Sequence, residues 1–378
     1  MRVTRRTAMR MAGGAGVALA TASLPWPALA QGEELVPFLD VPATPAGRGG
    51  MVRRPPTLET FLTPNEQFFA IQHYNVPTID PAAYRLRIGG LVERPIEVTL
   101  AELQKRRRLE QVVGFECSGN NNARGNPLVG NARWAGTSLA ALLRDAGLKR
   151  NGREVVFYSA DTSREEVTHG GATASVDQHF ARAMSADEAQ QPEVMLAWEM
   201  NGAPLPLAHG APVRLIVPGW YGVANVKWLD RIDVQDARFM GKYMAREYVS
   251  LRGVDMAGET VWNESSVSRI RLKSAIGRVT RRGDACHITG FALTDGTPLK
   301  AIEVKIDEGP WRPAALWKDN TPYSWKLFTY TWANPPQGEH TIVSRAIDVH
   351  GEIQPAQADS SRKTRWENNE QHVRRIAV

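Results

Sequence analysis

The stretch Val112-Val113-Gly114-Phe115-Glu116-Cys117-Ser118-Gly119-Asn120-Asn121-Asn122 runs from a β-rich segment into a turn of glycine and asparagine. It predicts a strand that ends at Cys117, where the backbone is free to approach a bound group. A soft thiolate at a strand end is suited to binding a metal. A lone cysteine is more often a small buried hydrophobe, so the surrounding sequence has to decide between these two interpretations.

The segments around Cys117 predict a mixture of strands and helices. A capping-box pattern from Thr99 to Glu102 predicts the start of a short helix, and 137–148 predicts a second helix that stops at a glycine. Apolar and alternating runs predict strands at 84–92, 154–161 and 213–219. Because strands and helices alternate without a regular βαβ repeat, the fold class is predicted to be α+β rather than a doubly wound sheet.

The sequence changes in character after about residue 245. Short alternating strands separated by glycine and proline turns are predicted at 271–274, 287–293, 302–306, 325–332 and 341–348. This spacing is typical of an immunoglobulin-like β-sandwich. A sandwich appended to an enzyme core commonly serves interaction or dimerisation, and a plain structural cap is the alternative.

The first thirty residues have the features of an export signal. Arg5-Arg6 precedes an apolar run, 11–24, that is too short to span a bilayer and closes on the small residues Ala28-Leu29-Ala30. The segment 4–9 resembles a twin-arginine signal, with an ordinary secretory leader as the alternative. We therefore expect a periplasmic protein that is not anchored in the membrane.

The charge and cysteine content of the mature chain argue against a nucleic-acid-binding protein and against a haem protein. Removing residues 1–30 takes four arginines away, so 42 basic residues face 40 acidic ones and the net charge falls from +6 to about +2. The one basic run, 105–108, is not interleaved with aromatic residues, so nothing indicates a nucleic-acid partner.

Cys117 and Cys286 allow a disulfide in an exported protein, although Cys286 falls on a strand of a separate predicted domain. Without a Cys-x-x-Cys-His motif, we expect no haem in this chain.

Four clusters between residues 61 and 245 carry groups that suit a metal and a phosphorylated cofactor. Arginine, lysine, histidine and backbone amides at glycine turns are the groups with which proteins hold phosphates. A thiolate is the group that holds a soft metal. The clusters are Phe68-Phe69-Ala70-Ile71-Gln72-His73, the cysteine stretch, His209-Gly210-Ala211-Pro212-Val213-Arg214 with the turn that follows it, and Asn225-Val226-Lys227-Trp228-Leu229.

In this order the motifs Phe-Phe…His, Cys-x-Gly-Asn, His-Gly-x-Pro-x-Arg…Val-Pro-Gly and Asn-Val-Lys-Trp-Leu resemble the molybdenum–molybdopterin core of the sulfite oxidase family. The resemblance covers nearly the whole mature chain, because the sandwich is similar to that family's dimerisation domain. It implies that Cys117 ligates molybdenum beside the dithiolene sulfurs of molybdopterin in its mononucleotide form. The positions that would hold the pterin and its phosphate are Phe69, His73, Asp161, His209, Arg214, Asn225, Val226 and Lys227.

The resemblance also implies a domain organisation and a reaction. The chain divides into a twin-arginine signal peptide (1–30), an extended arm (31–60), a molybdopterin-binding catalytic domain (61–245) and an immunoglobulin-like dimerisation domain (246–378). The implied reaction is oxidation of sulfite or a related small sulfur compound by oxygen-atom transfer, for which the cofactor supplies the chemistry. Since we expect no haem here, the electrons need an external carrier, for which a c-type cytochrome is the first choice. A homodimer is the expected assembly.

Three departures from the family pattern concern the substrate. The family has Arg-Asn-His where this chain has Ile71-Gln72-His73, an arginine after the cysteine loop where this chain has Asn121-Asn122, and a tyrosine where this chain has Ala172. Arginines hold a small oxyanion through charge-assisted hydrogen bonds. The candidates to take over catalytic contacts beside Cys117 are Gln72, His169 and Arg124.

The departures keep other functions open. Two alternatives are reactions of the same kind of enzyme: oxidation of sulfane sulfur bound to a partner protein, and sulfoxide reduction on the same cofactor. From a different class, the chain would be a non-catalytic interaction module built on the sandwich.

The leader assignment makes a testable prediction. Replacing the pair by Arg5→Lys and Arg6→Lys should block export, because the twin-arginine route reads that pair as an address. Immunoblots of periplasmic and cytoplasmic fractions measure the effect, with Arg10→Lys outside the pair as the control. Undiminished export of the double variant would identify an ordinary secretory leader.

Overall fold

The computed structural model describes residues 32–41, 58–121, 125 and 127–378, and this part of the chain is built mainly from β-strands. The predicted signal peptide and most of the predicted arm lie outside these residues. The strands are, in chain order, β1 (Glu34–Leu35), β2 (Arg85–Gly90), β3 (Ile96–Thr99), β4 (Arg108–Glu116), β5 (Val129–Ser138), β6 (Glu154–His169), β7 (Ala172–Ser185), β8 (Met195–Met200), β9 (Ala203–Pro204), β10 (Arg214–Ile216), β11 (Leu229–Gln235), β12 (Val249–Met256), β13 (Glu259–Ser266), β14 (Lys273–Arg282), β15 (Ala285–Leu293), β16 (Leu299–Ile306), β17 (Arg312–Pro313), β18 (Ala315–Leu316), β19 (Lys326–Ala333), β20 (Glu339–Asp348), β21 (Arg362–Lys363) and β22 (Val373–Ala377).

Three short α-helices accompany the strands in the described chain: α1 (Leu100–Gln104), α2 (Leu139–Ala146) and α3 (Ala186–Ala189). The predicted capping box is confirmed, because the Thr99 hydroxyl accepts from the Glu102 amide and the Glu102 carboxylate accepts from the Thr99 amide. The second predicted helix is confirmed as α2, which ends at Gly147 with a φ of 73°. Within the described residues, no helix is long and apolar enough to cross a membrane.

Two sheets form the part of the fold that precedes the sandwich. One has the strand order β10-β8-β5-β4 with β9 beside β8, and the other has the order β3-β2-β11-β6-β7. Their strands pair antiparallel except for β2 and β11, which are parallel. The mixture of strands and short helices agrees with the α+β prediction, although strands predominate. Since β4 ends at Glu116, the prediction that a strand ends at Cys117 is confirmed.

Strands β6 and β7 form a hairpin much longer than the sequence predicts. The predicted strand 154–161 continues to His169, which pairs with Ala172 across a turn of two glycines with φ values of 57° and 80°. The tip of the hairpin is exposed at His169 and Ala172. The extension depends on pairing with β7, which a single segment cannot reveal.

The C-terminal part contains a three-stranded sheet, β13-β12-β21, and two further sheets that pack face to face. One has the order β1-β14-β15-β19-β18 and the other β17-β16-β20-β22. Side chains from both sheets meet in one core, such as Ile276 and Ile288 from the first and Ile302 and Ile342 from the second. Four of the five predicted strands of this region are confirmed, and the fifth, 271–274, overlaps only the first two residues of β14, which continues to Arg282. The sequence does not predict β12, β13, β17, β18, β21 and β22. The described part of the predicted arm contributes β1 to the edge of the sandwich.

The sandwich packs directly on the strand that leads to Cys117. The Gly114 amide of β4 donates to the Tyr323 carbonyl at 2.8 Å. A Cβ on Gly114 would lie 2.7 Å from the Trp325 nitrogen, so glycine is required for this close approach. Trp325 belongs to the same hydrophobic core as residues of α2 and β11. The domain boundary near residue 245 remains a prediction.

The sandwich core generates a stability prediction. Ile288 is fully buried between the two sheets, so Ile288→Ala should lower the free energy of unfolding by about 2–5 kcal/mol through the cavity it leaves. Thermal and urea unfolding measure the change. Val349→Ala, at a half-exposed turn position, is the matched control and should change stability by less than about 0.5 kcal/mol. Equal losses in the two variants would contradict the assignment of this core.

Candidate functional site

A cavity lies where β4 ends, and most of the predicted site residues line it. It encloses about 640 Å³ of empty space, part of which is open to solvent. The predicted residues in its lining are Phe69, Gln72, His73, Cys117, Asp161, His209, Arg214, Asn225 and Lys227. Residues from five separate stretches of the chain therefore meet at one site.

The cysteine is positioned by hydrogen bonds within its own loop. The Cys117 amide donates to the Leu128 carbonyl at 3.0 Å, and the Asn120 amide donates to the Cys117 carbonyl at 2.8 Å. Asn120 closes the loop a second time, because its side chain donates to Glu116 and accepts from the Leu128 amide. Cys117 is half-buried at the cavity, and it forms no disulfide with Cys286, which is buried in β15.

Arg214 is the central cation of the site and is buried. Its guanidinium lies over the rings of Phe115 and Trp134, with 5.2 and 4.8 Å to their centroids. Its two terminal nitrogens donate to the carbonyls of His209 at 2.7 Å and Asn225 at 2.8 Å. Burial lowers the pKa of Arg214 to about 9. One guanidinium thus ties together the two loops that carry the other phosphate-binding candidates.

Lys227 and His209 are also held at the cavity with lowered pKa values. The Lys227 ammonium donates to the Ala208 carbonyl at 3.0 Å and lies 4.1 Å from the centroid of the Trp228 ring. Burial, with the charge of Arg214 adding to it, lowers the pKa of Lys227 to about 7. His209 donates from Nε2 to the Asn65 carbonyl at 2.8 Å, and burial lowers its pKa to about 4.

His73 is packed among aromatic rings that sequence reasoning did not find. It stacks on Phe180, with 4.3 Å between centroids, and its Nε2 lies 2.7 Å from the Tyr248 hydroxyl oxygen. Burial, then the charge of Lys227, lowers the pKa of His73 to about 3, so the ring is neutral near pH 7. Tyr248 in turn stacks on Trp366 at 4.4 Å.

Tyr248 lines the cavity, and burial and then the neighbouring Cys117 raise its pKa. No sequence pattern marks this residue, which lies at the predicted domain boundary. Its φ of 57° is left-handed, an uncommon conformation for a residue other than glycine that is often found at functional sites. This chain has Ala172 where the family has a tyrosine, but a different tyrosine, Tyr248, lies at the cavity.

Buried polar groups show that the cavity suits an anionic, hydrogen-bonding cofactor. The Asp161 Oδ1 acceptor and the Arg214 Nε donor are buried without a hydrogen-bond partner in the structure. Burial raises the pKa of Asp161, whereas it lowers the pKa values of the cations around it. An anion placed between Arg214 and Lys227 would offset that penalty. The residues therefore fit a phosphorylated pterin.

Two predicted residues, Val226 and His169, do not line the cavity. Val226 is fully buried in the hydrophobic core, and its carbonyl accepts from the Leu215 amide, so it supports the site from behind. His169 lies at the exposed tip of the β6–β7 hairpin, so the structure gives no support to its predicted catalytic contact. Arg124 lies outside the described residues, as does Asn122.

Among the described residues, no three histidine, cysteine, aspartate or glutamate side chains are grouped to hold a metal ion. The resemblance implies that a cofactor supplies further ligands to a metal at Cys117.

Comparisons with known proteins agree with this site. The family model described as oxidoreductase molybdopterin binding domain matches residues 73–243. The chain is 31% identical to the sulfite oxidase of Gallus gallus over 325 residues, which cover 79% of this chain and 69% of that protein. It is 31% identical to the mitochondrial sulfite oxidase of Rattus norvegicus over 331 residues, which cover 80% of this chain and 59% of that protein.

A solved structure shares the fold. The crystal structure of the sulfane dehydrogenase SoxCD from Paracoccus pantotrophus aligns with a TM-score of 0.71 at 24% sequence identity, over 84% of each chain. Fold, cavity and similarity together define an oxidoreductase with a molybdopterin-binding domain. The chain belongs to the sulfite oxidase family. The resemblance that the motifs indicate is therefore confirmed.

The lowered pKa of Lys227 predicts how the cofactor-free site binds an anion. Between pH 6 and 8 His73 and His209 stay neutral and Arg214 stays charged, whereas Lys227 loses its proton as the pH rises through about 7. Sulfate, whose charge is constant over this range, should therefore bind roughly tenfold more weakly at pH 8 than at pH 6, as expected for one charge-assisted hydrogen bond. Isothermal titration calorimetry measures the two affinities.

Two variants define the outcome. Lys227→Gln should weaken sulfate binding at pH 6 and remove its pH dependence. Lys242→Gln is the matched control, because Lys242 pairs with Glu165 and does not line the cavity, so it should keep the wild-type pH dependence. An unchanged pH dependence in Lys227→Gln would contradict the role of this lysine.

Proposed function

We propose that this protein is a periplasmic, molybdenum-dependent oxidoreductase that oxidises a sulfur compound by oxygen-atom transfer, with sulfite as the first candidate substrate. The observation that supports this most strongly is the cavity that joins the Cys117 thiol to Arg214 and Lys227. A thiolate suits molybdenum, and buried cations suit the phosphate of molybdopterin. Sulfite oxidases with 31% identity to this chain make sulfite the first compound to test.

In this proposal, different residues of the cavity lining hold the metal, the phosphate and the pterin. Bound molybdenum cofactor supplies the oxygen-atom and electron transfer. Cys117 would hold the metal, Arg214 and Lys227 would hold the phosphate, and Asp161 would accept a hydrogen bond from the pterin. The Phe68 and Phe69 rings stack at 5.4 Å in the wall and exclude water from it.

Several finer points belong to the same proposal. We expect the mononucleotide form of molybdopterin, as the resemblance to the sulfite oxidase family implies. The leader supports export to the periplasm, and the absence of a haem-attachment motif in the sequence supports an external c-type cytochrome as electron acceptor. The two packed sheets of the C-terminal region would be an immunoglobulin-like sandwich, through which two copies of the chain form a homodimer.

The cations of the cavity favour a second candidate substrate. Among the described residues of the lining, Arg214 is the one arginine, and both of its terminal nitrogens already donate to backbone carbonyls. A small oxyanion therefore finds fewer charge-assisted partners than arginines at 71 and 122 would offer. Sulfane sulfur carried on a partner protein is less dependent on such charges and is the second candidate.

A direct assay tests the proposal. Purified exported protein should contain about one molybdenum per chain and reduce cytochrome c when millimolar sulfite is added. Cys117→Ser should abolish turnover, because a serine hydroxyl is a poor ligand for a soft metal. Cys286→Ser is the matched control, since Cys286 is buried in β15 away from the cavity lining.

The outcomes separate the candidates. Molybdenum without sulfite turnover would move the assignment to sulfane sulfur on a partner protein. Sulfoxide reduction with a reduced dye would indicate the reverse reaction. An active Cys117→Ser variant, or protein that contains no molybdenum, would contradict the metal assignment.

A further inference from the structure

A fully buried ion pair crosses from the sandwich to the residue beside the metal-ligand candidate. The Lys273 ammonium, on β14, lies 2.7 Å from Glu116 Oε1, and each side chain is only 1% exposed. Glu116 is the last residue of β4 and directly precedes Cys117.

Glu116 connects the ion pair to the cysteine loop. Its Oε1 also accepts from the Asn120 side-chain nitrogen at 2.9 Å. The Asn120 side-chain oxygen accepts from the Leu128 amide at 3.1 Å, and the Leu128 carbonyl accepts from the Cys117 amide at 3.0 Å. The lysine therefore holds both ends of the loop that carries the thiol.

Other residues after position 245 contact the same loop. The Glu367 amide donates to the Ser118 carbonyl at 2.8 Å. Arg374 donates to the Gly125 carbonyl at 3.1 Å. The Trp366 ring lies so close to Gly119 that a Cβ there would approach it to 3.1 Å. The loop is thus held from two sides, by its own strand and by the C-terminal region.

We infer that Lys273 is a positioning residue for Cys117, acting through Glu116 and Asn120. The C-terminal sandwich is then a structural part of the metal centre, in addition to any role in assembly. This inference rests on the proposed function in one respect, namely that Cys117 ligates molybdenum.

The physical reason lies in the burial of the carboxylate. Glu116 Oε2 is buried without a hydrogen-bond partner in the structure, so Lys273 and Asn120 provide the polar contacts of this group through Oε1. Removing one partner of a buried ion pair leaves an uncompensated charge, whereas replacing both by apolar residues is often neutral for stability. Stability and positioning can therefore be separated by experiment.

Two variants test the inference. Lys273→Met leaves the Glu116 carboxylate uncompensated and should displace the loop. Glu116→Leu combined with Lys273→Met removes both charges, so it should fold with near wild-type stability while it lacks the connection to Asn120. Ile288→Ala is the matched control, because it lowers stability in the sandwich without touching the loop.

Three measurements read out the position of Cys117. In both variants molybdenum per chain should fall below half of the wild-type value, and the electron paramagnetic resonance spectrum of the remaining Mo(V) should change. In cofactor-free protein, iodoacetamide should alkylate Cys117 at least threefold faster, as quantified by peptide mass spectrometry. Ile288→Ala should keep all three wild-type values despite its lower unfolding temperature.

The possible results separate a failure of the inference from a failure of the proposed function. Wild-type molybdenum content, spectrum and alkylation rate in the double variant would overturn the inference, even if Lys273→Met alone does not fold. Equal changes in Ile288→Ala would reduce the pair to a general stability role and also overturn it. Wild-type protein without molybdenum would instead contradict the proposed function, while the alkylation rates would still test the link from Lys273 to Cys117.

Discussion

The buried guanidinium of Arg214 is the interaction on which the rest of the site depends. It joins the loop of His209 to the loop of Asn225 through two carbonyl acceptors, and it rests on the rings of Phe115 and Trp134. Burying this cation is costly, and its charge lowers the pKa of Lys227 nearby. The cofactor-free site is therefore poised to gain stability from an anion, which is how a phosphorylated pterin would be selected.

The two halves of the chain contribute differently to this site. Residues before 245 provide most of the cavity wall, because strand ends and glycine turns bring polar side chains to one place, and Tyr248 adds to the wall from beyond that position. The sandwich packs on β4 and reaches the cysteine loop through Lys273, Glu367 and Arg374. A metal ligand on a loop needs such support, because the loop alone does not determine where its thiol points.

The parts of the fold and site that could be predicted are those with local signals. The capping box of α1 and the strand that ends at Cys117 depend on neighbouring residues, and both are confirmed. His209 and Arg214 are close in sequence, so their joint position at the cavity follows from one short motif. The hairpin is longer than the sequence predicts, because its length depends on pairing between β6 and β7, and this pairing places His169 at the exposed tip, outside the cavity lining.

By itself the sequence determined the family, and it indicated Cys117 and the cationic side chains of the cavity as candidate cofactor ligands, because each of these depends on residue type and short spacing. Only the tertiary structure placed Phe180 and Tyr248 against His73, and only it joined Lys273 to Glu116 across 157 positions of the chain. These contacts form between strands and loops that meet through burial of the common core, and burial leaves no local pattern at the positions that it brings together.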